Sequence, residues 1–154
     1  FQSVNFVTGF TMPKENFEEF IKRAKEVGKN EINPTEFVST LNIDCEVQPD
    51  ELSFETCNKI NRLEPFGSDN PQPALLVRNA QILNIKPVGK NAEHLQFPIR
   101  HGDKTVNAIA FRFGGHLDKI DATKPHDIVF SLEINEWNGW KKLQMRVMDL
   151  RPSE

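Results

Sequence analysis

Ile128 to Leu150 reads IVFSLEINEWNGWKKLQMRVMDL, two runs of alternating character joined by Asn138-Gly139. Asn-Gly tolerates the positive φ angles of a type I′ turn, which makes it a strong short-range hairpin signal. The first run puts Ile128, Phe130, Leu132 and Ile134 on one face and Ser131, Glu133, Asn135 and Trp137 on the other. The second repeats this independently. Leu143, Met145 and Val147 form its apolar face, and Trp140 shares parity with Lys142, Gln144 and Arg146. Both tryptophans of the chain are therefore expected on a polar face, opposite one another across the turn and away from the core.

Working outward, period-two patterning also marks Ala74 to Lys86, His94 to Arg100 and Thr105 to Phe113, and a short helical candidate covers His116 to Ile120. Five strands with a small helix before the fourth is the order of an OB-fold, a Greek-key β-barrel; an SH3-like barrel is the alternative. Before Ala74 the period changes. Phe17, Phe20, Ile21, Ala24 and Val27 recur at helical spacing within Pro13 to Lys29, and Thr40 to Val47 alternates like a half-buried strand. A second helix is expected from about Asp50 or Ser53 to Leu63, stopping before Pro65. The stretch 65–73, PFGSDNPQP, is incompatible with regular structure and marks a linker. The expected class is α+β: a small helix and strand segment followed by a five-stranded OB-fold barrel over 74–152.

Of 154 residues, 38% are apolar and 27% charged, a folded, globular composition. No apolar run is long enough to span a membrane and no signal-peptide pattern opens the chain, which points to a cytoplasmic protein. Phe1-Gln2-Ser3, a candidate tag remnant, is set aside. Cys45 and Cys57 lack CxxC spacing and sit in apolar-periodic positions, so two buried free thiols are expected. Residues 1–70 carry 7 Lys/Arg against 13 Asp/Glu, whereas residues 71–154 carry 12 against 9, so a polyanionic partner would favour the second half. His94, His101, His116 and His126 form no metal-ligand spacing, and neither a nucleophile elbow nor a P-loop is present. Neither a metal nor another cofactor is expected for this chain.

Two indoles beside Lys141, Lys142, Gln144 and Arg146 have the components of a platform on which unpaired bases stack while cations hold phosphates. The loop between the fourth and fifth strands of an OB-fold is one of two that bind oligonucleotides. Cross-strand stabilisation of the hairpin, or packing against the N-terminal segment, are the other readings of the pair. Further candidate nucleic-acid contacts are Lys86 and Lys90, flanking the loop after the first strand, and the outward-facing His94 and Arg100 of the second. Phe111 would lie opposite His94 on the outer face if Gly102-Asp103 forms a two-residue turn; the core is the expected place for it.

Leu63 to Pro73, LEPFGSDNPQP, resembles the Leu-x-Pro-Phe-Gly-x-Gly-Asn-Pro-x-Pro linker of RecJ-family single-strand-specific DNA exonucleases, with Asp69 in place of a glycine. Gly89-Lys90-Asn91, His94-Leu95, Ala108 to Phe111, Trp137-Asn138-Gly139, Leu143-Gln144 and Asp149-Leu150-Arg151 extend the likeness. In that family the region follows an Asp-His-His catalytic domain and begins within a DHH-associated domain, of whose hallmark only Thr8-Gly9-Phe10 survives here. The resemblance thus implies that 1–64 is the C-terminal part of a DHH-associated domain and that the chain is a non-catalytic module binding single-stranded DNA. Its parent would be an exonuclease using manganese or magnesium, acting from the 5′ end in repair and recombination. The rival reading is an interaction or structural module that docks a single-strand-binding protein or braces the parent's catalytic domain.

Overall fold

The computed structural model describes residues 9–31 and 40–154, and these divide into two compact units, one within 1–42 and the other Ile43–Glu154. In the first, α1 spans Phe17–Glu31 after a 3-10 turn at Lys14–Asn16, and Phe10 packs edge-on to Phe20 at 4.9 Å. The helix continues through Gly28 to Glu31. Thr8, the first residue of the surviving Thr8-Gly9-Phe10, lies outside the described residues.

The second unit is a ring of strands. β2 (Leu75–Ile82), β4 (His94–His101), β5 (Lys104–Ala110), β6 (Pro125–Trp137) and β7 (Trp140–Pro152) close in the order β2-β4-β5-β7-β6-β2. The β5–β7 pair is parallel and the others antiparallel. That is the Greek-key order of an OB-fold, and it decides against the SH3-like alternative. Inward-facing Leu95, Phe97, Ile99, Ile128, Phe130, Leu132 and Met145 fill the barrel. Gly114–Lys119 forms the expected short helix between β5 and β6, as 3-10 turns.

The first barrel strand is shorter than its pattern predicts. It stops at Ile82, and β3 (Lys86–Val88) then pairs antiparallel with β4 as a separate piece, because Asn84 takes a φ of 42° and bends the chain. The predicted strand over Thr40–Val47 reduces to β1 (Cys45–Glu46), paired in parallel with Leu75–Leu76. Val47 is buried, but Ile43 and Cys45 are exposed, so the expectation of two buried thiols holds only for Cys57. β1 pairs along one side only, and both of its residues are exposed.

α2 (Phe54–Asn61) is capped by Ser53, whose Oγ accepts from the Thr56 amide at 3.1 Å. It packs Cys57 and Ile60 against the barrel core, and the Cys57 thiol donates to the Leu132 carbonyl at 3.4 Å. Residues 43–64, grouped with the N-terminal segment by their sequence pattern, thus lie in one compact unit with the barrel. The linker that follows is held by its own Asn70, whose amide donates to the carbonyls of Leu63 and Pro65 at 2.9 and 3.0 Å. Gln72 then donates to Leu132 at 3.3 Å.

A buried carboxylate ties the strands together. β2 carries an extra residue between Val77 and Ala80, where Asn79 has a φ of 54°. Into this bulge points Asp127, accepting from the Asn79 amide (3.3 Å), Arg78 (3.2 Å), Arg151 (3.4 Å) and the Ser153 hydroxyl (2.8 Å). Burial works to raise its pKa, but these donors outweigh it and hold the carboxyl below its ordinary value.

Candidate nucleic-acid interface

The hairpin forms as its sequence requires. Trp137 and Trp140 are direct cross-strand partners, with Asn138 and Gly139 at φ of 50° and 79° between them. Asn135 opposes Lys142, and Glu136 opposes Lys141. Both indoles are solvent-facing, at 75% and 76% exposure, so neither belongs to the core. Beside them lies a groove of about 570 Å³, lined by Gln96, Asn107, Asn135, Lys142, Leu143 and Gln144 together with the two tryptophans. A second hollow of about 510 Å³ shares Gln96, Asn135 and Gln144 with it and extends to Phe111. One furrow therefore crosses the outer face of β4, β5, β7 and β6, with an aromatic group at each end.

Phe111 is the residue whose expected burial is overturned. Gly102-Asp103 is a two-residue turn, since His101 pairs with Lys104, and the register leaves Phe111 45% exposed on the outside. His94 meets it edge-on at 5.1 Å, and the Arg146 guanidinium sits 5.3 Å from its ring centroid. The His94 Nδ1 accepts from the Arg112 amide at 3.0 Å, so this imidazole holds the strand end while flanking the furrow. Asn107, also absent from the sequence-based candidates, shares an outward parity with Phe111 that was legible once the turn length was known.

The candidate cations divide. Lys142 lines the groove and forms no ion pair among the described residues. Arg146 is paired with Glu133 at 3.6 Å. Lys141 alternates to the opposite face of the ribbon from Trp140 and pairs with Glu136 at 3.5 Å. Lys86 is exposed on β3 opposite Gln96, and Lys90 is exposed in the turn before β4. Arg100 is hydrogen-bonded to Gln81 and lines neither hollow. The structure thus brings Trp137, Trp140 and Lys142 together, with Arg146 and His94 at the far end, and sets Lys141 and Arg100 apart. No group of three metal-ligating side chains, and no helix long and apolar enough to cross a membrane, occurs among the described residues.

Residues 43–149 match the model of the family described as the RecJ OB domain. The chain is 29% identical over 146 residues to the single-stranded-DNA-specific exonuclease RecJ of Bacillus subtilis, covering 95% of this chain and 19% of that protein. The namesake of Haemophilus influenzae is 25% identical, with 94% and 25% covered. The crystal structure of Thermus thermophilus RecJ in complex with Mg2+ superimposes with a TM-score of 0.68 at 26% identity, covering 95% of this chain and 22% of that one. The chain spans about a fifth to a quarter of the length of these relatives.

Proposed function

The chain belongs to the RecJ OB domain family, and on that premise we propose that it is a non-catalytic module that binds single-stranded DNA for a RecJ-like exonuclease. In this reading the parent works in the cytoplasm, degrading single strands from the 5′ end in repair and recombination. Its Asp-His-His domain and manganese or magnesium act outside this chain. The observation that carries the proposal is the pair of exposed indoles at the rim of a furrow whose other end holds Phe111. Leaving two such side chains in water forfeits burial worth kilocalories, and unpaired bases are planar apolar faces that would recover it. Lys142 supplies a cation beside them for phosphate. Single-strand specificity in the names of the relatives agrees with this reading. The test is titration of a dye-labelled oligo-dT, and of duplex of equal length, with the 154-residue chain. Preference for the single strand is expected; equal or absent binding refutes it.

One observation favours a second reading, in which the furrow docks a protein such as a single-strand-binding protein or the parent's catalytic domain. Arg146, at the far end of the furrow, is already paired with Glu133, and the carboxylates of Glu133 and Glu136 both line the second hollow, so the furrow is nearly charge-balanced. Salt separates the two: each phosphate neutralised contributes a slope of about −0.7 in log K against log salt for single strands, whereas an aromatic-centred protein contact changes little.

A further inference from the structure

Between the tryptophan pair and Phe111 four neutral amides line the furrow, beside apolar Ile109, Ile134 and Leu143 and the carboxylates of Glu133 and Glu136. Gln96 comes from β4, Asn107 from β5, Gln144 from β7 and Asn135 from β6, and all four line it. A surface that ignored base identity would need only aromatic faces and cations. Amides present a donor beside an acceptor, as the edges of bases do. Two of them are already oriented: Asn135 Nδ2 donates to Gln144 Oε1 at 2.7 Å across the β6–β7 ladder. That bond uses one donor and one acceptor and leaves the Asn135 oxygen and the Gln144 amino group without a protein partner among the described residues. An acceptor and a donor are thereby left beside the indoles, the groups that match the amino group and adjacent ring nitrogen shared by adenine and cytosine.

We propose that this amide row reads the edge of an unpaired base stacked beside the tryptophans, so that the chain binds single strands with a preference for bases that carry an amino group beside a ring nitrogen, adenine and cytosine. The proposal rests on the single-strand reading and adds specificity to it. The test compares a short dye-labelled oligo-dA with an oligomer of nebularine, which keeps the purine ring for stacking and lacks the 6-amino group. By anisotropy, the full chain should bind the nebularine strand about fivefold or more weakly, the usual worth of a hydrogen bond or two. The Asn135→Ala/Gln144→Ala double variant, whose melt should stay near that of the parent because both groups lie on the outer surface, should bind the two strands equally. Equal affinity of the unmodified chain for both strands overturns the base reading alone. So does a difference that persists in the double variant. Failure of every single strand to bind overturns this proposal and the function beneath it together. Should the variant not fold, the comparison on the unmodified chain decides.

Discussion

Truncating either indole at the hairpin tip should separate binding from folding. Trp→Ala in a core costs about 3–5 kcal/mol, but Trp137 and Trp140 are 75% and 76% exposed and bury only about a quarter of that surface. Scaled so, and with a cross-strand pair worth roughly 0.2–1 kcal/mol, each substitution should cost about 1–2 kcal/mol of stability. For a unit of this size that lowers the melting temperature by about 4–12 °C. Binding should suffer more. One base stacked on one aromatic side chain is worth about 1–3 kcal/mol, which weakens affinity by about 5- to 150-fold. The assay is anisotropy of a labelled oligo-dT, alongside thermal melting by circular dichroism. In the unmodified protein the tryptophan emission should be red-shifted, open to acrylamide, and quenched by single-stranded DNA. Unchanged affinity in both variants, with melts near that of the parent, would refute the stacking platform. A large fall in stability would refute the exposure on which the magnitudes depend.

Lys142→Ala should lower affinity across oligonucleotides and flatten the salt slope by about 0.7, while Glu133→Gln, which releases Arg146 from its ion pair, should raise affinity; titration at two salt concentrations checks both. Asp127→Ala should destabilise the chain by about 2–3 kcal/mol, somewhat less than a fully buried pair because Arg78 and Arg151 are half-exposed. Its carboxyl is held below the unfolded value near pH 4, so its contribution is present above that pH and is lost as pH falls through the folded value; urea midpoints from pH 6 to 2 should fall less steeply in the variant. A Cβ at Gly114 would lie 2.0 Å from the Ala92 carbonyl oxygen, whereas one at Gly115 meets nothing within 4 Å. Gly114→Ala should therefore cost about 2 kcal/mol or more and Gly115→Ala little, by thermal melting. Burial, reinforced by the nearby Glu133 charge, raises the Cys57 pKa; a thiol reagent should titrate Cys45 in the native protein and both cysteines only in denaturant.

The amino-acid sequence alone determined the elements whose physics is local or strictly periodic. Asn138-Gly139 specifies its turn through backbone conformation, and the alternation on either side assigns both tryptophans to the outer face before any partner is known. With His94 and Arg100 outward, the alternation of their strand likewise leaves Leu95, Phe97 and Ile99 to the core, where they lie. It misled where neighbours decide. Thr40–Val47 alternates as a half-buried strand should, yet only Cys45–Glu46 finds pairing, because the edge of the sheet offers one partner strand. Phe111 read as core because burial is the usual fate of its type, whereas the length of a distant turn set its register and turned it outward. Ion pairing was less legible: Arg146 and Lys142 have the same parity, and it is the diagonal across the β6–β7 ladder that sets Glu133 against Arg146, while Lys142 forms no ion pair among the described residues. Parity is a property of one strand. The furrow and the amides that line it are properties of four strands brought together, and only the tertiary structure could decide them.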